Sequence, residues 1–264
     1  MPSPAGLTLP QPRAIVMHTM NIVSPPVRRC LGRLLAVVLL AWGAAGCVRM
    51  EQALTLNGDG SGNLAIRYGM SLKDLAELEA TAKQQLAEEG MTSEGPVNPF
   101  EFDEAEVRKD FEDYAELGVS LKSIKTSEED GWKYLSLNIA FKTLAGLGQT
   151  EFLSDRIVSL KRLADGRYEF VQSVPPQAQP GPPEMQDLMK EMMKGFRAAL
   201  RVTVPGEVVE TNADQTDGRT VSWSFDLDKD AKALERIQKA SMRVVFQGEG
   251  LELAEFSGSA EAGE

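Results

Sequence analysis

The sequence predicts an α+β domain in which an antiparallel sheet, built from Asp-Gly hairpins, carries about four helices. Four Asp-Gly pairs are flanked by residues that alternate between apolar and polar, and this dipeptide tolerates the positive φ that tight hairpin turns need. The pairs are Asp59-Gly60, Asp130-Gly131, Asp165-Gly166 and Asp217-Gly218. Between the hairpins, apolar residues recur at helical spacing. One apolar face per strand is typical of an antiparallel sheet that is covered on one side.

Nine strands and four helices follow from these patterns in chain order. Each Asp-Gly turn joins two strands, and a ninth strand is expected at 242–246. The first helix begins at Ser71, because Ser71 and Asp74 resemble a capping box. The helices are expected at 71–90, 103–118, 185–200 and 231–237, and glycines at 90 and 118 end the first two.

The composition excludes several classes of protein. The chain has 264 residues, of which 42% are hydrophobic and 25% charged, so it can bury a core and differs from a disordered chain. Its net charge of −11 gives a surface that repels phosphate. Nucleic acid is therefore not an expected partner, and a basic face for anionic lipid is not expected either.

Residues 28–47 have the three parts of an export signal. Three arginines precede an uncharged apolar stretch, and small residues stand directly before Cys47. The uncharged run, 34–46, has 13 residues, fewer than the roughly 20 that a membrane-spanning helix needs. A cysteine at the cleavage point resembles a bacterial lipoprotein signal, in which this cysteine is acylated on sulfur and becomes the N-terminus. Cys47 is therefore the expected lipidation site and 1–46 the leader, with an ordinary cleaved signal as the alternative.

The start of the leader and its export route are also predicted. A leader from Met1 would have 46 residues, more than the roughly 15 to 30 of ordinary signals, so translation is expected to start at Met20 or Met17. The Arg28-Arg29 pair leaves open a twin-arginine route, although neither Ser nor Thr precedes it. Either route leads to the cell envelope, with the protein on the outer membrane or the outer face of the inner membrane.

Removing the leader changes the composition. From Cys47 onward the chain keeps 24 basic against 39 acidic side chains, a net charge of −15, because four arginines lie in the leader. The only histidine, His18, and the other cysteine, Cys30, also lie there. A chain without histidine and with one cysteine has no Cys/His zinc site, no Ser-His-Asp triad and no internal disulfide. We therefore expect no metal site, no cofactor and no catalytic residue of these classes.

A methionine-rich segment is the most suggestive candidate for a binding site. Methionine adapts to irregular apolar surfaces, so a helix that carries it could cover an apolar cavity or meet lipid or protein. The alternative is a helix whose stripe packs on the sheet as ordinary core. The proline-rich stretch 172–183 before it is expected to be a loop. The candidate residues for an apolar ligand are Met185, Met189, Met192, Met193 and Phe196 on this helix and Trp223 on a strand.

Three weaker patterns concern other chemistry and the C-terminus. Residues 57–64 resemble the start of an EF-hand loop, but Tyr68 stands where the bidentate glutamate belongs, so a plain hairpin is favoured. Acidic residues on the first two helices could include a glycosidase pair, although charge runs on helices are usually solvated. Gly, Ser, Ala and Glu predominate in 249–264, where a disordered acidic tail is expected.

Two segments carry a family resemblance. One is VRMEQALTLNGDGSGNLAIRYGMS, directly after Cys47, and the other is LRVTVPGEVVETNADQTDGRTVSWSFDL. Together they resemble the LppM-like, DUF3153-type lipoproteins of the bacterial envelope, in which a hairpin follows the lipidated cysteine. In that group a V-x-V-P-G-x-V strand leads through an Asn and a D-G turn to a T-V-x-W strand. The matching positions are Val202, Val204, Pro205, Gly206, Val208, Asn212, Asp217, Gly218, Thr220, Val221 and Trp223. The resemblance implies a lipoprotein and transfers no catalytic motif.

These observations lead to one expected function and two alternatives. We expect a non-enzymatic lipoprotein, anchored to a membrane through Cys47, whose single domain, 47–248, binds an apolar or lipid ligand or a partner protein in the envelope. The first alternative is a structural or assembly lipoprotein that acts by protein contacts alone, and the second is a carboxylate-based hydrolase. A ligand cavity would favour the binding function, and a solid core would favour the structural one.

Overall fold

Two sheets and four α-helices make up the described part of the chain. The computed structural model describes residues 48–88, 98–153, 156–174, 193, 195–230 and 232–258. The strands are β1 Val48–Leu56, β2 Gly62–Ser71, β3 Val119–Glu129, β4 Trp132–Phe141, β5 Ile157–Arg162, β6 Tyr168–Ser173, β7 Arg197–Thr203, β8 Val208–Thr211, β9 Gln215–Asp217, β10 Thr220–Asp226, β11 Ser241–Phe246 and β12 Phe256–Gly258. The helices are α1 Leu72–Glu88, α2 Glu104–Asp110, α3 Leu144–Gly148 and α4 Ala233–Gln238, and a 3-10 helix covers Phe111–Tyr114.

The two sheets have different sizes, and one pair of strands is parallel. The seven-stranded sheet has the order β3-β4-β2-β1-β7-β10-β9, and the five-stranded sheet has the order β12-β5-β6-β11-β8. All neighbours are antiparallel except β1 and β7. The structure therefore has the mixed helix-and-sheet class that the sequence predicts, but the prediction of a single antiparallel sheet is wrong. Alternation specifies which face of a strand is buried, and it carries no information about the sheet or direction in which the strand pairs.

One hydrophobic core lies between the sheets. Every second residue of the central strand β1 is buried from Gln52 to Leu56, and the buried faces of both sheets belong to the same cluster. Gln52 on β1 donates its Nε2 hydrogen to Oε1 of Gln172 on β6, at 3.4 Å, so the middle strands of the two sheets contact each other. Both glutamines are less than a tenth exposed. The domain therefore buries one face of each sheet and leaves the other face of the seven-stranded sheet outside the core.

The turn between β3 and β4 shows how local sequence sets the hairpins. Asp130 and Gly131 both have positive φ, 50° and 78°, as a type I′ turn requires. The Gly131 carbonyl also accepts the backbone N–H of Leu72 at 2.9 Å, which ties this turn to the start of α1. Ser71 caps that helix, because its Oγ accepts the N–H of Asp74 at 3.1 Å.

The third predicted helix is wrong at its C-terminal end. Met185, Met189 and Met192 lie outside the described residues. Phe196 belongs to no helix, and the next residues, Arg197–Thr203, form β7 between β1 and β10. Apolar spacing alone did not separate helix from strand here. Ladder hydrogen bonds to two neighbouring strands decided the conformation, since they pair the backbone of β7 on both sides.

Two irregular segments also differ from the expectation. The proline-rich loop predicted at 172–183 begins later, because Gln172 and Ser173 end β6, and positions 175–183 lie outside the described residues. At the other end, the tail predicted from 249 is ordered as far as 258, since β12 pairs with β5. Leu253 is 6% exposed, and its N–H donates to the Tyr168 hydroxyl at 3.1 Å. The composition of this segment, rich in Gly, Ser and Glu, did not indicate that Leu253 would be buried or that Phe256 would pair with β5.

Truncating Leu253 tests this part of the fold. We expect Leu253→Ala to lower the free energy of unfolding by about 2–5 kcal/mol, because it leaves a cavity under the C-terminal segment. The exposed neighbour Glu252→Ala serves as the control and should change it by less than about 0.5 kcal/mol. Chemical denaturation measures both, and equal stability of the two variants would contradict an ordered segment.

Candidate functional site

The predicted site residues are only partly within the described structure. Cys47, the expected lipidation residue, lies outside it, and Val48 directly after it begins the central strand of the seven-stranded sheet. Met193 and Phe196 are half-buried, and the Phe196 N–H donates to the Met193 carbonyl at 3.0 Å. Trp223 lies on β10 and is 4% exposed. Trp223 and its surroundings are therefore within the described structure. A ligand role for Met185, Met189 and Met192 stays a prediction.

Asn212 holds Trp223 in place. The indole Nε1 of Trp223 donates to Oδ1 of Asn212 at 3.2 Å, and the same oxygen accepts the backbone N–H of Arg243 at 2.9 Å. The Asn212 Nδ2 in turn donates to the Ser241 carbonyl at 2.5 Å. One amide side chain thus joins the loop before β9 to β10 and β11, which belong to different sheets. This geometry gives a physical role to the asparagine of the family pattern.

A groove of about 470 Å³ lies beside Trp223, between helix α4, the second half of β10 and the start of β11. Its apolar part is formed by Trp223, Phe225 and Met242, which are all nearly buried. Its charged part comes mainly from α4, whose exposed side chains lie along one side. The charged lining residues are Lys232, Glu235, Arg236 and Lys239. The groove therefore combines an apolar floor with a mostly cationic rim.

Ion pairs occupy most of the rim. The Arg236 guanidinium lies 5.1 Å from the Phe225 ring centroid and donates to carboxylate oxygens of Asp230 and Asp214, each at 3.0 Å. Hydrogen bonds from the backbone N–H of Lys232 and from Arg236 lower the pKa of Asp230, so this carboxylate stays charged. Lys239 bonds to Glu235 at 2.8 Å and lowers the pKa of that carboxyl in the same way.

Lys232 differs from the other cations of the rim. Its side chain is exposed, and it forms no ion pair with another residue in the described part of the chain. An ammonium group beside an apolar floor, with no carboxylate oxygen of a described residue within 4.0 Å, can bind an anionic group of a ligand. Sequence reasoning missed this rim, although Lys232, Arg236 and Lys239 recur at the i, i+4, i+7 spacing of one helix face.

The described residues on either side of positions 175–192 bond to residues in or near the groove. The N–H of Val174, the last described residue after β6, donates to the Ala240 carbonyl at 3.1 Å, and Ala240 lines the groove. On the other side, the Phe196 carbonyl accepts the N–H of Leu227, two residues beyond Phe225, at 3.1 Å. Neither Met193 nor Phe196 is among the lining residues. Of the predicted ligand residues that the structure describes, only Trp223 lines the groove.

Some of the carboxylates that were considered for hydrolysis, Glu77, Glu79 and Glu104, lie in ion pairs on the helix surface. Glu77 pairs with Lys73 at 3.8 Å, and Glu104 pairs with Arg108 at 2.7 Å, each one helical turn away. Asp110 differs, because burial and two neighbouring carboxylates raise its pKa. In the described ranges, no group of three or more His, Cys, Asp or Glu side chains could hold a metal ion. No described helix is long and apolar enough to cross a membrane.

Removing the Asn212 side chain tests its role at Trp223. We expect Asn212→Ala to lower the free energy of unfolding by about 1–3 kcal/mol, because the indole N–H and two backbone groups lose their partners. Ser222→Ala, next to Trp223 and with no side-chain hydrogen bond to a described residue, is the control and should change it by under about 0.5 kcal/mol. Urea denaturation followed by fluorescence measures both. A neutral Asn212 variant would show that the amide does not hold the two sheets together.

Comparison with known proteins identifies the family. The LppM domain model matches residues 49–234, which contain Asn212, Trp223 and four of the ten residues that line the groove. Among solved structures, the chain is similar to the folded domain of Mycobacterium tuberculosis LppM, determined by NMR. That likeness has 13% sequence identity and a TM-score of 0.40, and it covers 77% of this chain and 91% of the other. No curated protein matches the sequence. Since the family model covers well over half of its length, the chain belongs to the LppM domain family.

Proposed function

We propose that this protein is a lipoprotein that is anchored to an envelope membrane through Cys47 and binds an anionic amphiphile in the groove beside Trp223. LppM family membership indicates a lipoprotein of the cell envelope. The observation that carries the proposed binding function is the unpaired Lys232 at the rim of a groove with an apolar floor. The ligand class is thus a molecule with one apolar part and one acidic group.

The leader supports the anchor. Its apolar run ends in small residues directly before Cys47, and the thiolate of a cysteine is the nucleophile that takes up a diacylglyceryl group. A single acyl chain binds a membrane only weakly, whereas two or three chains on one cysteine hold a protein there. Because Val48 begins the central strand, the proposed anchor joins the domain at the middle of its larger sheet.

The groove supports an amphiphile better than a purely apolar ligand. Trp223, Phe225 and Met242 offer aromatic and thioether surfaces, which adapt to an alkyl chain. The acidic group would lie against Lys232, at the N-terminal end of α4, while Lys239 lines the groove at the other end of this helix. Since Arg236 and Lys239 already have carboxylate partners, Lys232 is the cation whose charge a ligand would neutralise.

A structural or assembly role by protein contacts alone is the second proposal. It is favoured by the packing of Phe141, Trp223 and Phe225, which all lie in the core at 5% exposure or less. The same proposal holds that the protein is not an enzyme. Its support is the pairing of helix carboxylates such as Glu77 and Glu104 with neighbouring cations at exposed positions.

Lipid attachment is tested on the full-length chain. We expect the intact protein from the membrane fraction to begin at Cys47 and to carry the mass of its acyl chains. Cys47→Ser should abolish the lipid mass, because the serine hydroxyl does not replace the thiolate as nucleophile. Intact-mass spectrometry measures both proteins. An unmodified cysteine on the membrane-bound protein would contradict the proposed anchor.

Ligand binding is tested on protein purified gently from the envelope. We expect native mass spectrometry and lipid extraction to recover a bound acidic amphiphile, and we expect Lys232→Glu to remove most of it. The matched control is Lys122→Glu, which makes the same charge reversal at an exposed position on β3, outside the groove. Equal loss in both variants would contradict the site. Recovery of no ligand from the unchanged protein would favour the structural role.

A further inference from the structure

The outer face of the seven-stranded sheet, which points away from the core, gathers basic side chains. In the register of the sheet, residues of different strands that lie opposite each other share a face. Arg49 on β1 thus lies in one row with Gly69, Tyr134 and Arg197. Across the described strands, the cations of this face are Arg49, Arg67, Lys125, Arg197 and Arg201. The same face carries carboxylates, which are Glu51, Glu129, Asp217 and Asp226, and two of them pair with Arg67 and Arg197. The charge available to a partner on this face therefore depends on which of its arginines has no carboxylate partner.

Two arginines and two aromatic rings form a layered cluster at one end of this face, which we name the arginine-aromatic stack. The Arg49 guanidinium carbon lies 3.7 Å from the Trp132 ring centroid, and that of Arg67 lies 3.7 Å from the Tyr134 ring centroid. The two rings are stacked, with centroids 6.3 Å apart. Arg49 also donates from Nη1 to the Tyr134 hydroxyl at 3.0 Å. Such cation-π contacts hold guanidinium groups in fixed positions.

Gly69 leaves room for the Tyr134 ring of the stack to pack on the strand backbone. A Cβ atom on Gly69 would lie 2.5 Å from the Tyr134 ring, so the ring packs directly on the glycine backbone. Arg67 has a carboxylate partner, because it donates to Glu129 at 2.7 Å. Arg49 has none in the described part of the chain, and its Nε is buried without a hydrogen-bond partner. The stack therefore fixes one guanidinium that forms no ion pair with a carboxylate among the described residues.

The stack lies at the end of the sheet where the proposed anchor joins. Arg49 is two residues from Cys47, a span of at most about 7 Å of extended chain. Ser71 lies opposite Trp132, and Met70 lies opposite Val48. Trp132 is therefore at the same end of the strands as the first residue of β1, and we call this end the anchored edge of the sheet. Arg201 is on the same face, four residues further along β7 than Arg197. Four residues of a strand span about 13 Å, so Arg201 lies that much further from the anchored edge of the sheet than Arg197 does.

We propose that the arginine-aromatic stack rests on the membrane surface and binds the phosphates of anionic lipid headgroups. This inference rests on the proposed lipidation of Cys47, which would hold the stack at the depth of the headgroups. Tryptophan and tyrosine favour the membrane-water interface, and a planar guanidinium binds phosphate oxygens through two hydrogen bonds. The occupant is a lipid surface rather than a nucleic acid, because a long polyanion would also meet the acidic remainder of the domain.

Tryptophan quenching in vesicles tests this contact on the lipidated protein. Trp42 precedes Cys47, so Trp132 and Trp223 are the tryptophans that follow the anchor. In a Trp223→Phe protein, we expect lipids with brominated acyl chains to quench Trp132 in vesicles that contain phosphatidylglycerol. Quenching should fall in vesicles of phosphatidylcholine alone, and also in about 1 M salt, where charges are screened within about 3 Å. Neither comparison requires a substitution within the stack.

Matched variants locate the effect. Arg49→Gln should reduce the quenching of Trp132 in anionic vesicles to its level in neutral ones, while Arg201→Gln, on the same face and further from the edge, should leave it unchanged. Trp132→Phe leaves Trp223, whose quenching reports acyl chains in the groove of the proposed function, so lipid in the groove and lipid at the stack are measured separately. Intact-mass measurement first confirms that each protein carries lipid, so failure of the anchor is recognised separately. An unquenched Trp132 in a lipidated protein, or equal effects of the two arginine variants, would overturn the proposal, as would quenching independent of lipid charge.

Discussion

Strand β1 pairs with β2 along one edge and with β7 along the other, and this double pairing joins the N-terminal and C-terminal parts of the domain. The β1–β2 register runs from Val48 opposite Met70 to Leu56 opposite Gly62, and the parallel β1–β7 register runs from Arg49 to Thr55. The parallel pairing of β1 with β7 divides the larger sheet into two halves. The hairpins β1–β2 and β3–β4 form one half, and β7, β9 and β10 form the other. Without the parallel pair, the two halves of the larger sheet would not share a backbone ladder.

The alternation of side chains along this sheet gives its two faces different chemistry. The inner face carries Leu54, Trp223 and other buried residues, so it forms the core and one wall of the groove. The outer face of the same strands carries Arg49 and Arg67. The proposed ligand site and the proposed membrane contact therefore use opposite faces of the same sheet, so the protein can bind a ligand and contact a membrane at once.

Several local features follow from the sequence because neighbouring residues settle them. Ser71 caps α1 with its own hydroxyl, and α4 lies close to the segment expected from the spacing of Leu234 and Ile237. Features that need a distant partner were missed or misjudged. Phe196 was expected in a helix, but the following residues join β7. Leu253 was expected in a disordered tail, but it is buried and its N–H donates to the Tyr168 hydroxyl. The candidate site shows the same division, because Trp223 was named from its strand, whereas Lys232 emerged only from its position beside that residue.

By itself, the sequence determined which chemistry the chain after Cys47 lacks, since it holds no histidine and no second cysteine. It also determined the apolar face of most strands, because a period of two residues is a local property. Only the tertiary structure decided which strands pair, that two sheets share one core, and that Arg49 and Arg67 lie on rings of Trp132 and Tyr134. These residues come from three strands separated by tens of positions. Their meeting depends on the register of the sheet, which is set by backbone hydrogen bonds between distant segments, so the net charge of −11 gave no sign that two arginines stack on aromatic rings.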